Sequence, residues 1–176
     1  EIPELLTVSL GAAETTLMSL SSAYAPFVNG GKKIEPNLIS RIQDRRGKTI
    51  FQEKSIKCIG CEKFINNREN ELPKIENNSE RILSEETAYQ MTSILQGAVQ
   101  RGTAKKLKSL NVPLAGKTGT TNDNYDAWFI GFSSNLVIGV YVGFDTPKTL
   151  GKFETGSKAA LPIFKDFVEK ALYKED

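Results

Sequence analysis

Gly116-Lys117-Thr118-Gly119-Thr120, placed after Pro113-Leu114-Ala115 and before two runs with strand character, predicts an edge strand beside a cleft. Its residue types converge on one ligand chemistry. The Lys117 ammonium is a compact charge for a carboxylate, the threonine hydroxyls add donors for the same anion, and Gly119 lets another backbone approach closely. An extended peptide ending in a carboxylate, docked by strand addition, meets all of these. Lys-Thr-Gly also describes an ordinary basic residue at a strand end before a turn glycine, so the surrounding sequence has to decide.

Downstream, residues 121–125 read as a polar loop beside the cleft. Residues 126–132 and 136–144 read as strands apolar on both faces, which must be covered on both sides. A helix over residues 158–173 supplies one cover. Its apolar stripe is Ala160, Ile163, Phe164, Phe167, Val168, Ala171 and Leu172, with Lys165, Asp166, Glu169 and Lys170 facing out.

Upstream, residues 15–28 read as a helix capped by Thr15 or Thr16, with Leu17, Leu20, Tyr24, Phe27 and Val28 on one stripe. Pro26 should weaken its last turn, and Asn29-Gly30-Gly31 ends it. A hairpin follows, residues 38–42 and 49–51 flanking the turn Asp44-Arg45-Arg46-Gly47 with Gly47 left-handed. Ser84-Glu85-Glu86 opens a second helix with a cap and two acids at the positive end of its dipole. Ala88, Met91, Ile94, Leu95, Ala98 and Val99 are its core stripe, and Gly102 ends it. Antiparallel strands with helices against them make an α+β unit. The expected divisions are residues 1–52, helix and hairpin; 53–83, a variable insertion; and 84–176, the motif strand, two further strands and the C-terminal helix.

The chain has 176 residues, enough for one domain with a core, and a net charge of +2 with basic and acidic residues interspersed. Nothing in that balance asks for nucleic acid or a membrane surface. No apolar run is long enough to cross a membrane, and no basic-then-apolar start marks a signal peptide. Histidine is absent, which excludes a Ser-His-Asp triad, a papain-like Cys-His pair and the common histidine metal sites. Residues 53–80 are charged and Asn-rich, with Pro73 and little periodicity, and are expected to be mobile in part. They hold Cys58-Ile59-Gly60-Cys61, which can be a redox pair, half a zinc site or a clip closing a loop. No further cysteine or histidine remains to complete a zinc site.

Longer matches than the tripeptide carry a family resemblance. Tyr89-Gln90-Met91, Gln100-Arg101-Gly102-Thr103, Ala115 through Asp123, Asp126-Ala127-Trp128-Phe129 with Gly131-Phe132, and Gly139-Val140-Tyr141-Val142-Gly143-Phe144-Asp145 resemble the end of the transpeptidase domain of bifunctional class A penicillin-binding proteins. Leu10-Gly11-Ala12-Ala13-Glu14, Ala23-Tyr24-Ala25 and Asn29-Gly30-Gly31 look like the stretch that precedes these in the same family. The resemblance implies the C-terminal portion of a penicillin-binding or serine β-lactamase-like fold. It implies no cofactor and no metal, and a site on the periplasmic face of the bacterial inner membrane, held by an anchor upstream of this chain.

The family orders its motifs as a Ser-x-x-Lys nucleophile, a Ser-x-Asn and a Lys-Thr-Gly. No Ser-x-x-Lys occurs here. Thr103-Ala104-Lys105-Lys106 and Thr155-Gly156-Ser157-Lys158 place threonine three before lysine, but downstream of where the family keeps its nucleophile, and read as chance matches. Ser133-Ser134-Asn135 follows the Lys-Thr-Gly stretch and reads as a hairpin turn. The chain is therefore expected to begin after the second motif and to be inactive alone.

In proteins of this kind a serine attacks the D-Ala-D-Ala carbonyl of a peptidoglycan stem peptide, and β-lactams enter the same site. By the resemblance Lys117 supports proton transfer and attracts the substrate carboxylate, and the Thr120 backbone N–H gives half an oxyanion hole. Thr118, Gly119, Thr120 and Thr121 are the substrate-binding set. In an oxidising periplasm Cys58 and Cys61 are expected to form a local disulfide. The family completes its sheet with earlier strands, so the edge over residues 136–144 is expected bare and apolar, able to pair with another copy. Two alternatives stand beside this reading: a non-catalytic module for carboxylate-terminated peptides, and a β-lactamase-like hydrolase fragment.

Overall fold

A computed structural model describes residues 4, 6–11, 13–53, 56–59, 74–77 and 79–172. A 3-10 helix over Leu6–Leu10 precedes helix α1 (Leu17–Val28), and two hairpins follow, β1 (Arg41–Gln43) with β2 (Thr49–Gln52) and β3 (Ile56–Ile59) with β4 (Lys74–Asn77). Helix α2 (Glu85–Gln100) and a 3-10 helix (Lys105–Leu110) lead into β5 (Ala115–Thr120), β6 (Ala127–Phe132), β7 (Val137–Val142) and helix α3 (Ala160–Leu172). Among the described residues this is the expected α+β arrangement of an antiparallel sheet packed by helices.

Thr16 caps α1, its hydroxyl accepting from Ser19 N–H at 3.1 Å. Pro26 stands inside the last turn without ending it, because the helix is held from beyond: Asn29 N–H donates to Ala25 O, and Gly31 N–H to Pro26 O at 2.7 Å. Gly31, at φ +96°, lies so close to the Leu83 carbonyl that a Cβ there would collide with backbone. Ser84 caps α2 by accepting from Thr87 N–H, as its position before Glu85 and Glu86 predicts. Hydrogen bonds from its own backbone and from Ser84 hold the Glu86 carboxyl below its usual range.

Two stripes differ from their sequence reading. In α2 the buried positions are Ala88, Leu95, Gly97 and Val99, while Ile94 is 65% exposed. The helix touches both α1 and β5, and Thr92 anchors its orientation by donating to Phe27 O at 3.0 Å. That turns the arc 88–92–95–99 inward and leaves Ile94 outside it. In α3 the inward set is Ala160, Leu161, Phe164 and Val168, narrower than predicted, with Ile163, Phe167 and Ala171 exposed. One helix contacting a twisted sheet buries a single stripe, and the flanking apolar residues stay at its rim.

The sheet runs β5–β6–β7, antiparallel throughout, with Lys117 opposite Ile130 and Thr118 opposite Phe129. Both faces of β6 are covered, by α3 on one side and α1 on the other. On the α3 side Phe129 meets Phe164 edge to face at 4.7 Å within a core that includes Val99, Leu107, Leu110 and Leu161. On the other, Ala115, Phe132 and Leu95 pack with Tyr24, Phe27 and Val28. Gly131 is required by this packing: a Cβ there would lie 2.6 Å from both the Phe129 and Phe164 rings.

The hairpins sit apart from that core. All residues of β1 and β2 are exposed, and the strand begins at Arg41, later than the sequence alternation from Leu38 predicts. Gly47 takes the expected left-handed φ of +81°. Within the insertion, Ile56–Ile59 and Lys74–Asn77 pair in register from Ile56↔Asn77 to Ile59↔Lys74, a hairpin that the composition does not announce. Where the chain leaves and returns, Lys32 bridges Arg81 and Lys33 N–H donates to Glu80 O at 2.8 Å. Cys58 is disulfide-bonded. Cys61, the other cysteine of the sequence, lies outside the described residues, as do residues 60–73 and Asn78.

Candidate functional site

Burial changes halfway along β5. Ala115 and Gly116 are buried, Lys117 and Thr120 are exposed, and Thr118 and Gly119 are intermediate. Gly116 has no room for a side chain, since a Cβ would lie 2.6 Å from Ile130 O and 2.8 Å from Gly131 Cα. The buried half thus fixes the strand, and the exposed half presents Lys117-Thr118-Gly119-Thr120. Among the described strands β5 pairs on one side only, with β6, which is the edge position the sequence predicts.

Strand alternation sends Thr118 and Thr120 to one face and Lys117 to the other. The Lys117 ammonium turns back along the edge and donates to Thr118 O at 2.8 Å. Among the described residues no carboxylate pairs with it, so its charge stays available to an anion.

Both threonine hydroxyls are held from outside the strand. Thr118 Oγ1 lies 2.9 Å from Thr103 Oγ1, and either can donate. Thr120 Oγ1 accepts from Gly156 N–H at 3.0 Å. Gly156 packs directly on the strand, where a Cβ would meet Gly119 O and Trp128 O, and its carbonyl accepts from Leu161 N–H at 2.9 Å in the first turn of α3. The contributing segments, Thr103-Ala104-Lys105-Lys106 and Thr155-Gly156-Ser157-Lys158, are the ones that read from sequence as chance matches to a nucleophile motif. They touch the motif strand, and sequence spacing holds no signal for that.

Thr121 closes the strand. Its Oγ1 accepts from Asp126 N–H at 2.8 Å and its N–H donates to Asp126 O at 3.1 Å. The turn that follows is tight, with Asp123 and Asn124 at φ +58° and +54°, a conformation their short polar side chains tolerate. It is tied to the next loop by Leu150 N–H to Asn124 O, 2.9 Å, and Thr149 Oγ1 to Asp123 O, 2.8 Å. Beside it Tyr141 stacks tilted on Trp128 at 4.7 Å and donates to Asp126 Oδ1 at 2.8 Å. That bond to a carboxylate, more than burial, raises the tyrosine pKa above its ordinary value.

Ser133-Ser134-Asn135 is a turn, as expected: Ser133 N–H donates to Leu136 O, and Ser133 Oγ to Asn135 Oδ1 at 3.0 Å. The sequence holds another Ser-x-Asn, Ser109-Leu110-Asn111. It closes the 3-10 helix, with Ser109 Oγ donating to Lys106 O at 3.1 Å and Asn111 at φ +53°. Among the described residues no group of histidine, cysteine or acidic side chains could hold a metal ion, and no helix is long and apolar enough to cross a membrane.

Comparison with known proteins gives a consistent result. Residues 4–169 match the family described as penicillin binding protein transpeptidase domain. The chain is 44% identical over 178 residues to penicillin-binding protein 1A of Rickettsia conorii, covering 99% of this chain and 22% of the relative. It is 36% identical over 173 residues to penicillin-binding protein 1A of Neisseria meningitidis, with 98% and 20% covered. Among solved structures it resembles penicillin-binding protein 1A from Haemophilus influenzae, at a TM-score of 0.79 and 35% identity over 97% of this chain and 28% of that one. The chain thus spans about a fifth of the length of these curated relatives.

Proposed function

The chain belongs to the transpeptidase family of penicillin-binding proteins, and on that premise we propose that it is the C-terminal part of a D,D-transpeptidase domain that cross-links peptidoglycan stem peptides and takes β-lactams as substrate mimics. The observation that carries the reading is the edge strand whose buried half is locked and whose exposed half offers an ammonium without a carboxylate partner among the described residues. A peptide ending in D-Ala-D-Ala can lie along that edge with its carboxylate toward Lys117, Thr118 and Thr120.

In the reaction proposed, a serine supplied by the rest of the domain attacks the penultimate D-alanine carbonyl, the terminal D-alanine leaves with a proton on its new amine, and the acyl group passes to an amine of a second stem. Lys117 assists the proton transfer and draws the carboxylate. The Thr120 N–H gives half of the oxyanion hole, a donor whose loss costs about 2.7–4 kcal/mol of transition-state stabilisation. Without a Ser-x-x-Lys in its sequence the 176-residue chain is inactive by itself. The whole protein would act on the periplasmic face of the inner membrane.

The test is labelling with a fluorescent penicillin. The 176-residue chain is expected to stay unlabelled. The longer protein encoded by the gene, carrying Ser-x-x-Lys and Ser-x-Asn upstream, is expected to be labelled and to lose that label when Lys117→Ala is introduced. Specific labelling of the short chain, or a longer protein whose labelling ignores Lys117, would overturn the assignment.

A further inference from the structure

Thr103 stands where nothing in the motif strand requires it. It follows the end of α2 in a turn that is fixed on both sides: Gly102 N–H and Ala104 N–H both donate to Ala98 O, at 3.1 and 3.0 Å. Gly102 lies so close to Ala98 that a Cβ would sit 2.8 Å from its Cα, and Ala104 is fully buried. Between these anchors Thr103 is exposed, and its hydroxyl meets that of Thr118 at 2.9 Å. An exposed threonine ordinarily points its hydroxyl at water, and this one is aimed at a motif residue by a backbone with little freedom to move.

Two hydroxyls joined by one hydrogen bond have two protons between them. One lies in the bond, and the other is left to point outward. A carboxylate accepts and never donates when ionised, so it selects that outward proton, and a chain of hydrogen bonds strengthens each member. Thr120 is arranged the same way by different means: its oxygen accepts from Gly156 N–H, and its proton is left to donate. With Thr103 as the donor of the shared bond, Thr118 matches Thr120, its oxygen occupied and its own proton left to donate.

We propose that Thr103 is a positioning residue of the carboxylate site, whose hydroxyl bond to Thr118 fixes a forward-pointing donor for the terminal carboxylate of the bound peptide. This rests on the transpeptidase reading and extends it to a residue outside the motif. Without Thr103 the Thr118 rotor is free, and part of the binding is lost to ordering it.

The experiment is a titration of the isotopically labelled 176-residue chain with a diacetyl-lysyl-D-alanyl-D-alanine peptide and with the same peptide as its C-terminal amide, followed by amide chemical shifts. The wild type is expected to prefer the carboxylate form. Thr103→Val, similar in shape, should lower affinity for the carboxylate form by about fivefold, the scale of one hydrogen bond, and leave the amide form unchanged. Thr103→Ser should restore the preference. If the wild type prefers the carboxylate and Thr103→Val prefers it equally, this inference fails and the transpeptidase reading stands. If the wild type does not distinguish the two peptides, the carboxylate reading of the strand fails and takes this inference with it. Acylation of the longer protein by penicillin, compared across the same variants, decides the matter if the short chain gives no dispersed spectrum: a fivefold slower reaction for Val, rescued by Ser, is expected, and equal rates refute the proposal.

Discussion

The β5–β7 sheet and the β1–β2 hairpin use the same antiparallel pairing, yet they differ in what lies against their faces. In the sheet, β6 is buried along nearly its whole length between α1 and α3. In the hairpin every strand residue is exposed, with Ile50 at 69% and Phe51 at 44%. Both segments are rich in residues suited to strands, so propensity does not separate them. The covering helices do. Hydrogen-bonded pairing is common to both, and the part of stability that distinguishes them is the apolar area removed from water.

Substitutions can widen or close that gap. The largest effect is expected at Phe164, fully buried against Phe129 and Gly131. Phe164→Ala should cost about 3–5 kcal/mol in urea unfolding, the range for deleting a buried aromatic ring. Gly156→Ala comes next, because its Cβ would press on the backbone oxygens of Gly119 and Trp128, which cannot turn aside as a side chain can. A loss of about 1–3 kcal/mol is expected, together with weaker binding of carboxylate-terminated peptides, since the Gly156 N–H that holds Thr120 must shift.

A smaller effect separates the regions by pH. Tyr141 on β7 has its pKa raised by its bond to Asp126, and Tyr24 on α1 has its pKa raised by burial. A tyrosine whose folded pKa lies above the unfolded value, near 10, contributes stability that is complete below that value and is lost as pH rises through the folded pKa. Unfolding midpoints should therefore fall at alkaline pH, and Tyr141→Phe should flatten the part due to Tyr141. A fall that is equally steep in the variant would exclude this hydrogen bond as a source. Smallest of all, Ile50→Thr in the hairpin should change stability by no more than about 0.5 kcal/mol, as for a surface position. A loss as large as that in the sheet would mean that the hairpin face is covered.

Much of this architecture is legible in the sequence because its signals are local. The Thr16 and Ser84 caps, the glycine turn at Gly47, the edge strand at Lys117 and the Ser133 turn each announce themselves within a few residues. What is not legible depends on orientation. Ile94 and Phe167 satisfy a helical apolar pattern, and only the angle at which each helix meets its neighbours sends them to solvent. The insertion hides its β3–β4 pairing for a related reason: each strand is only four residues long, with Cys58, Ile59, Lys74 and Ile75 exposed, too short a run to display the alternation that a buried face imposes. At the site the motif itself is readable, whereas the hold on it is not. Thr103 lies 15 residues from Thr118 and Gly156 lies 36 from Thr120, and no spacing rule connects positions that meet only through the fold.

The bridge between Lys32 and Arg81 separates the rest of the molecule from the length of the segment between them. Its two ends are pinned together beside α1 and α2, so the rest of the molecule is indifferent to how much chain is threaded between them. Doubling such a loop costs only about 0.6 kcal/mol of closure entropy. This is where the protein can accept lengthening, shortening or an inserted tag, while the strand that bears Lys117 goes on seeing the same neighbours.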